Sequence, residues 1–357
     1  MSVKRVLFAV AGAGKTTHLV NELTLTDRVL LLTYTENNAR NLEAAIVKKF
    51  KKFPDNIVVS TYFSFLLNFL IKPFCLKSRR RISRLYYAKR EIPRYFKGED
   101  RYITGDGEEV YHSRAFQFAR EYIGVDKLRN RIELFFDKVF VDEVQDFAGY
   151  DFDFIEMIGT ANIDVLLAGD FFQHTFDTSR DGGKNKSLHD DYGAYKKRFS
   201  RYYMVDEQTL SCSYRCPETV CSFVSNKIGI PISASGKMDC PPPVLIEDSS
   251  RIEEILQDEQ IIKLFYRKSY DYRCNALNWG ACKGLTFDKV CVVLNPSTFA
   301  KFAKDDLRSL AVGTRNKLYV ACTRTSSLLY FVRENDVESC KRNSEISNQC
   351  ARGVNRE

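Results

Sequence analysis

The sequence predicts an α/β protein built on doubly wound parallel sheets. Three observations carry that expectation. Ala9 to Thr17 reads AVAGAGKTT, directly after the apolar run Val6-Leu7-Phe8 and before a helical stretch beginning near Lys15. Strand, glycine-rich loop and helix in that order form the context of a phosphate-binding loop. Short continuous apolar runs, such as RVLLLT from Arg28 to Thr33, alternate with helical patterns, as strands buried on both faces do. A third run, from Leu134 to Val141, ends in the adjacent acids Asp142 and Glu143.

The loop comes first in the chain. Gly12 and Gly14 permit the tight backbone that turns N–H groups toward phosphate oxygens. Ala11, Ala13 and Thr17 complete the cradle, and the helix start adds its positive dipole end. Lys15 is placed to reach the β- and γ-phosphates of a nucleotide, and Thr16 to offer its hydroxyl to Mg²⁺. After the RVLLLT strand, Asn38 to Phe50 has a helical pattern with Leu42, Ala45, Ile46 and Phe50 on one face. Ile57 to Ser60 reads as a strand, and Thr61 to Phe74 as an apolar, aromatic helix.

Lys77 to Arg131 breaks this rhythm and reads as an inserted subdomain. Its stretch SRRRISRLYYAKREIPRYFKGEDRY is dense in Arg, Lys and Tyr. Such a run either binds a phosphate backbone and stacks on bases, or is a solvated helical face with tyrosines in a small core. The chain then returns to the sheet. Asp142, at a strand's carboxyl end, suits Mg²⁺, and Glu143 suits orienting or deprotonating a water. Asp164 to Ala168 is a further strand ending in Gly169-Asp170, with Gln173 close behind. A change of domain is expected near residue 205. Arg251 to Tyr266 has helical spacing, Ser233 to Pro243 reads as a linker or edge loop, and Lys289 to Leu294 is a buried strand. The resulting division is 1–76, 77–133 for the insertion, 134–204, 205–333, and a polar tail over 334–357.

Composition agrees with a globular protein: 357 residues, 44% hydrophobic and 13% aromatic, enough for about two domains. A net charge of +8 is a mild bias toward polyanions and equally fits an ordinary basic surface. The eleven cysteines are scattered, with no C-x-x-C pair, and read as reduced thiols of a cytoplasmic protein; no secretory leader is expected. Cys212, Cys216 and Cys221 cluster most closely, without a neighbouring His to complete a zinc site. No apolar run approaches membrane-spanning length, so no membrane partner is expected.

Taken together, the motifs resemble those of superfamily 1 helicases of the UvrD/Rep type, over nearly the whole chain to about Val332. AGAGKTT is similar to motif I, LLLTYTENNARNL to Ia, VVSTYFSF to Ib and VDEVQD to II. LLAGDFFQHTF resembles motif III, LSCSYRCPETV motif IV, CKGLTFDKV motif V and LYVACTRTSSLLYFV motif VI. The resemblance implies two RecA-like parallel-sheet domains of the P-loop NTPase kind, and an ATP- and Mg²⁺-dependent helicase or translocase on single-stranded DNA. It implies that Gln145 couples the nucleotide to the nucleic acid, that Gln173 lies near the γ-phosphate, and that Arg215 and Arg324 supply guanidinium charge to it. It places Tyr214 against adenine, with core packing as the alternative for that ring. Tyr34, Thr35, Thr61, Ser64, Phe176 and Lys283 become the expected nucleic-acid contacts, with Gly284 in the motif V turn. For each of these, packing or a solvated loop is the alternative.

The departures from the pattern are specific. Thr178 stands where the motif III Trp is usual, Glu36 where an Asn is usual, Thr286 where a Glu and Gly280 where a His are usual. Only a few residues precede the first strand, so the adenine-reading Gln segment usual before motif I is expected to be absent or moved, and the short span between motifs IV and V leaves no room for a large 2B subdomain. A pared-down motor is one expectation; a DNA-stimulated ATPase or nucleotide switch working with a separate nuclease in a defence or repair complex is the other.

Overall fold

The apolar runs become parallel strands. They are β1 (Lys4–Phe8), β2 (Val29–Thr33), β3 (Ile57–Thr61), β6 (Lys138–Val141), β7 (Asp164–Gly169) and β8 (Met204–Asp206); β4 (Arg84–Tyr86) and β5 (Glu109–Tyr111) form a separate parallel pair. The computed structural model describes residues 2–77, 81–87, 101–104, 107–175, 183–236 and 239–340. The chain falls into two units, the first holding Met1–Ala9 and Gly14–Leu210, the second Val10–Ala13 and the chain from Ser211 onward.

In the first unit the strand order is β3-β2-β6-β7-β1-β8, and every neighbouring pair is parallel. All five residues of β2 are buried, as a strand covered on both faces requires. Register brings the strand ends level: Phe8 pairs with Gly169, Thr33 with Thr61, and Leu32 with Val141. The loops after these strands therefore leave from one edge of the sheet, the edge at which open parallel sheets bind ligands. Helix α1 (Lys15–Asn21) follows β1, and α2 (Glu36–Phe50) follows β2, burying Ala39, Leu42 and Ile46. Lys49 of α2 donates to the carbonyls of Val20, Asn21 and Leu23 at 2.9, 2.9 and 2.7 Å. A lysine capping the carboxyl end of α1 holds that helix in place.

The change of domain expected near residue 205 falls after Leu210, because Met204–Asp206 extends the first sheet beside β1. Leu134 and Phe135, read as the start of a strand, close the helix Val125–Phe135, and the strand begins at Lys138. Much of the basic, aromatic run 78–102 lies outside the described residues.

Arg28 and Asp137, just before β2 and β6, tie these strands together. The Arg28 backbone N–H donates to Asp137 Oδ2 at 2.8 Å, and its guanidinium to Oδ1 at 2.7 Å. The guanidinium first, and then the amide, hold the Asp137 carboxyl down at about 2. A carboxylate with a depressed folded-state pKa stabilises the fold above its ordinary value and loses that contribution as pH falls through the depressed one. The pair is half exposed, so solvent screens it and the effect is small. Urea midpoints of Asp137→Asn and wild type should differ near neutral pH and converge as pH drops from about 4 toward about 2.

The second unit holds β9 (Cys212–Ser213), β10 (Ser233–Ala234), β11 (Val244–Leu245), β12 (Ile261–Phe265), β13 (Ala276–Asn278), β14 (Phe287–Leu294) and β15 (Thr325–Arg333). Its five-stranded sheet runs β11-β15-β14-β12-β13, again all parallel. Residues 251–266, read as one helix, split into the helix Ser249–Gln257 and the strand β12. Lys263 disguised that strand. It sits fully buried in IIKLF, its ammonium donating to Asp258 O at 2.6 Å. The expected linker 233–243 begins with β10, paired to β9. Residues 334–340, read as polar tail, are helical, and Val337 and Cys340 are buried with Ile252, Ile255 and Phe265. Among the described residues, no helix is long and apolar enough to cross a membrane.

Candidate nucleotide site

The loop after β1 is fixed at its start by the Ala9 N–H, which donates to Gly169 O at 2.8 Å. Gly12 and Gly14 have φ of 73° and 81°, the left-handed region that strains any side chain. Gly14 is the N-cap of α1, and no side chain caps the helix. Its first-turn amides, from Lys15 to Thr17, thus suit an anion. The loop residues Val10–Ala13 group with the second unit. There the Ala11 N–H donates to the Tyr319 hydroxyl at 2.8 Å and the Tyr214 N–H to Gly12 O at 2.9 Å. A Cβ on Gly12 would lie 2.6 Å from Arg215 Cβ and 2.8 Å from Ser213 Oγ. Space as well as backbone angle demands glycine at this position.

β6 delivers the acid pair. Asp142 is buried; its Oδ2 accepts the Thr16 hydroxyl at 3.1 Å and its Oδ1 the Glu143 N–H at 2.9 Å. Glu143 is also buried, with φ of 58°, a strained setting for a residue with a side chain. Desolvation, then the Glu143 charge, pushes the Asp142 carboxyl up to about 7, against the pull of Lys15 and Thr16. Two buried acids side by side are costly unless a cation joins them. The hydroxyl of Thr16 and the carboxylate of Asp142, both oxygen donors, fit Mg²⁺. Among the described residues no group of three or more His, Cys, Asp or Glu gathers as a metal cluster, Cys212, Cys216 and Cys221 included.

From Glu143 a hydrogen-bonded path runs inward. Gln145 Nε2 donates to Glu143 Oε2, Asp170 N–H donates to Gln145 Oε1 at 2.9 Å, and Gln173 Nε2 donates to Asp170 Oδ2 at 2.8 Å. Every member is buried. A Cβ at Gly169 would lie 2.5 Å from Gln145 Oε1, so glycine there lets the amide reach. His174 Nδ1 lies 2.9 Å from Gln145 O, and its ring stacks on His189 with centroids 3.5 Å apart.

In the second unit Arg215 and Arg324 meet around Thr323. Arg215 Nη1 donates to Thr323 O at 3.2 Å, and Arg324 Nη2 to Thr323 Oγ1 at 3.4 Å. Arg324 is buried and also donates to Val320 O at 2.9 Å and Leu285 O at 3.3 Å. The Leu285 carbonyl links it to the turn carrying Lys283, half-buried, and Gly284, whose φ is 82°. Tyr214 is 74% exposed, which rules out core packing for its ring.

Tyr34, Thr35, Thr61 and Ser64 stand at or just past the ends of β2 and β3. Tyr34 is half-buried, edge-on to Phe63 at 5.5 Å and to Phe147 at 6.2 Å. Thr35 caps α2, accepting Asn38 N–H at 3.2 Å, and Thr61 accepts Ser64 N–H at 3.4 Å. Both hydroxyls thus have a structural duty that their motif positions did not announce. Phe176 and Thr178 lie outside the described residues.

The family model for the viral superfamily 1 RNA helicase core domain matches residues 122–333, more than half of the chain. The chain belongs to this family. Its fold is α/β with parallel sheets, as that core domain requires. That places it among superfamily 1 helicases, without the finer UvrD/Rep assignment. The match takes in motifs II to VI and starts after the phosphate loop, whose identity rests on the geometry above. No curated protein matches the sequence. Among solved structures, the PRRSV helicase is similar at 13% identity and a TM-score of 0.47, covering 93% of this chain and 52% of that one. The arterivirus nonstructural protein 10 helicase in complex with DNA is similar at 17% identity and a TM-score of 0.46, covering 93% and 60%. The same arterivirus protein in another crystal structure gives 16% identity, a TM-score of 0.45, and coverage of 93% and 59%. This chain thus spans between half and three fifths of those chains, and likenesses at this level carry no functional detail.

Two features of the helicase core went unread in the sequence. Asp170 joins motif II to motif III, although Gly169-Asp170 at a strand end was the signal. Tyr266, directly after β12, has the Arg267 guanidinium 5.0 Å and the Lys317 ammonium 5.4 Å from its ring. Its phenol is pulled below the usual value by the Thr314 hydrogen bond, then by Lys317 and Arg267, despite burial. The alternating basic and aromatic residues of YRKSYDYR were the signal there.

Proposed function

We propose that this chain is an ATP-dependent motor that moves along single-stranded nucleic acid. The hydrogen-bonded path from Thr16 through Asp142, Glu143, Gln145 and Asp170 to Gln173 carries the reading. It links the phosphate-loop hydroxyl, the acid pair after β6 and the turn after β7 along the same sheet edge at which Tyr34 and Thr61 stand. Thr16 and Asp142 would hold Mg²⁺, which supplies charge neutralisation between the β- and γ-phosphates. Lys15 pairs with the same phosphates, Glu143 orients the attacking water, and Gln145 holds the Glu143 carboxylate in place. Arg215 and Arg324 offer guanidinium groups to charge that spreads over equatorial oxygens. The exposed ring of Tyr214 receives the base of the nucleotide.

The motif resemblance to UvrD/Rep enzymes points to DNA as the track, and the family's description points to RNA. Steady-state ATP hydrolysis without nucleic acid and with single-stranded DNA, single-stranded RNA or duplex separates them. Stimulation by one single strand and none by duplex is expected. Lys15→Ala should reduce the stimulated rate to background; turnover at the wild-type rate in that variant ends the proposal. Strand displacement by the isolated chain distinguishes a helicase from a subunit that needs a partner.

A further inference from the structure

The first unit carries an aromatic cluster that the nucleotide site does not use. Tyr87, just after β4, is 59% exposed. Its ring stacks on His112, just after β5, with centroids 4.6 Å apart and planes at 22°. Phe63 meets both edge-on, 6.2 Å from Tyr87 and 5.9 Å from His112. Tyr34 in turn meets Phe63 edge-on at 5.5 Å. Tyr34 and Phe63 follow the carboxyl ends of β2 and β3 within two residues. The β4–β5 pair thus sets an exposed ring beside the ligand-binding edge of the sheet. His112 Nδ1 lies 3.3 Å from Tyr86 O, which fixes the lower member of the stack.

We propose that Tyr87, backed by His112 and Phe63, is a stacking platform for an unpaired base of a single strand. The proposal rests on the nucleic-acid reading above and lies outside the family match at 122–333. A planar ring already half of a stack extends it most readily with another flat ring, and every base has such a face. Charge selects base over phosphate. Glu36, in the first turn of α2, is exposed. After desolvation, its charge is what raises the Tyr87 phenol above its usual value. A carboxylate near enough to act on the phenol repels a phosphate and leaves an uncharged base unaffected. The unusual acid of motif Ia thereby acquires a role: it keeps the backbone of the strand away from the ring.

The test is fluorescence anisotropy with single-stranded RNA and DNA of one sequence, roughly a dozen nucleotides long, titrated with wild type, Tyr87→Ala and Tyr87→Trp. Tyr87→Ala should weaken binding about 5- to 100-fold, with Tyr87→Trp close to wild type and all three melting together. The slope of affinity against salt should be the same in wild type and Tyr87→Ala, since no phosphate contact is lost. A strand carrying 2-aminopurine should be quenched by wild type and not by Tyr87→Ala. If wild type binds neither strand, the single-strand reading and this inference fall together. If wild type binds and Tyr87→Ala binds as tightly, or if the salt slope falls instead, this inference alone is overturned.

Discussion

Asp142→Asn should melt above wild type when no nucleotide is present and should hydrolyse almost no ATP. The stability half follows from burial. Asp142 and Glu143 are adjacent acids, both nearly inaccessible, and the Asp142 carboxyl is pushed up chiefly by desolvation and next by Glu143. An amide is almost the same shape and removes one of two like charges from a dry site, and its single oxygen keeps one of the two hydrogen bonds that Thr16 and the Glu143 N–H donate to the carboxylate. Relief of one of two adjacent buried charges, which Lys15 and Thr16 offset only in part, is worth roughly 1–3 kcal/mol, or roughly 2–4 °C of melting temperature for each kcal/mol. The activity half follows from chemistry. An amide holds Mg²⁺ poorly, so turnover should fall by at least about 10² to 10³. Saturating Mg²⁺ and ATP should stabilise wild type and leave the variant nearly unmoved, because only a ligand that binds the native state shifts its melting. Thermal melts with and without ligand, beside a hydrolysis assay, decide the matter. A variant that melts below wild type in the absence of ligand would show that Asp142 is held by interactions stronger than the repulsion.

The phosphate loop and the acid pair were legible because their signals are local. A glycine loop between a strand and a helix, and an acid pair at the end of an apolar run, need only a few consecutive residues to state their geometry. Gly12 is the clearest instance: the motif asks for glycine, and the backbone angle and the crowding by Arg215 Cβ ask for it again. The sequence misled where burial and polarity disagree. Lys263 broke an apolar strand into an apparent helical face, because a lysine at 0% exposure is rare. Val337 and Cys340 made too sparse a pattern to pull residues 334–340 out of a polar stretch. Long-range pairing was invisible for a different reason. Nothing in the sequence near Tyr87 places His112 or Phe63 beside it, since the β4–β5 pairing alone sets that contact.

Arg215→Ala and Arg324→Ala should separate, although both arginines are assigned to the same phosphate. Arg215 spends one guanidinium nitrogen on Thr323 O at 3.2 Å and is only partly buried. Losing it removes charge from the transition state and little from the fold. Turnover should drop by about 10³ to 10⁵ with melting close to wild type. Arg215→Lys should recover little of it, because a point charge does not reproduce the planar fork. Arg324 is different. Its guanidinium is buried and donates to Val320 O, Leu285 O and Thr323 Oγ1, tying the helix Val312–Cys322 to the motif V turn. Truncation strips those carbonyls of their donors and opens a cavity, at a cost of about 2–4 kcal/mol. Arg324→Ala should therefore lose turnover and also melt markedly lower. Equal melting of the two variants would mean that the Arg324 hydrogen bonds hold nothing together. Hydrolysis by Arg215→Ala at a rate near wild type would remove that residue from the reaction and leave Arg324 to supply the charge alone.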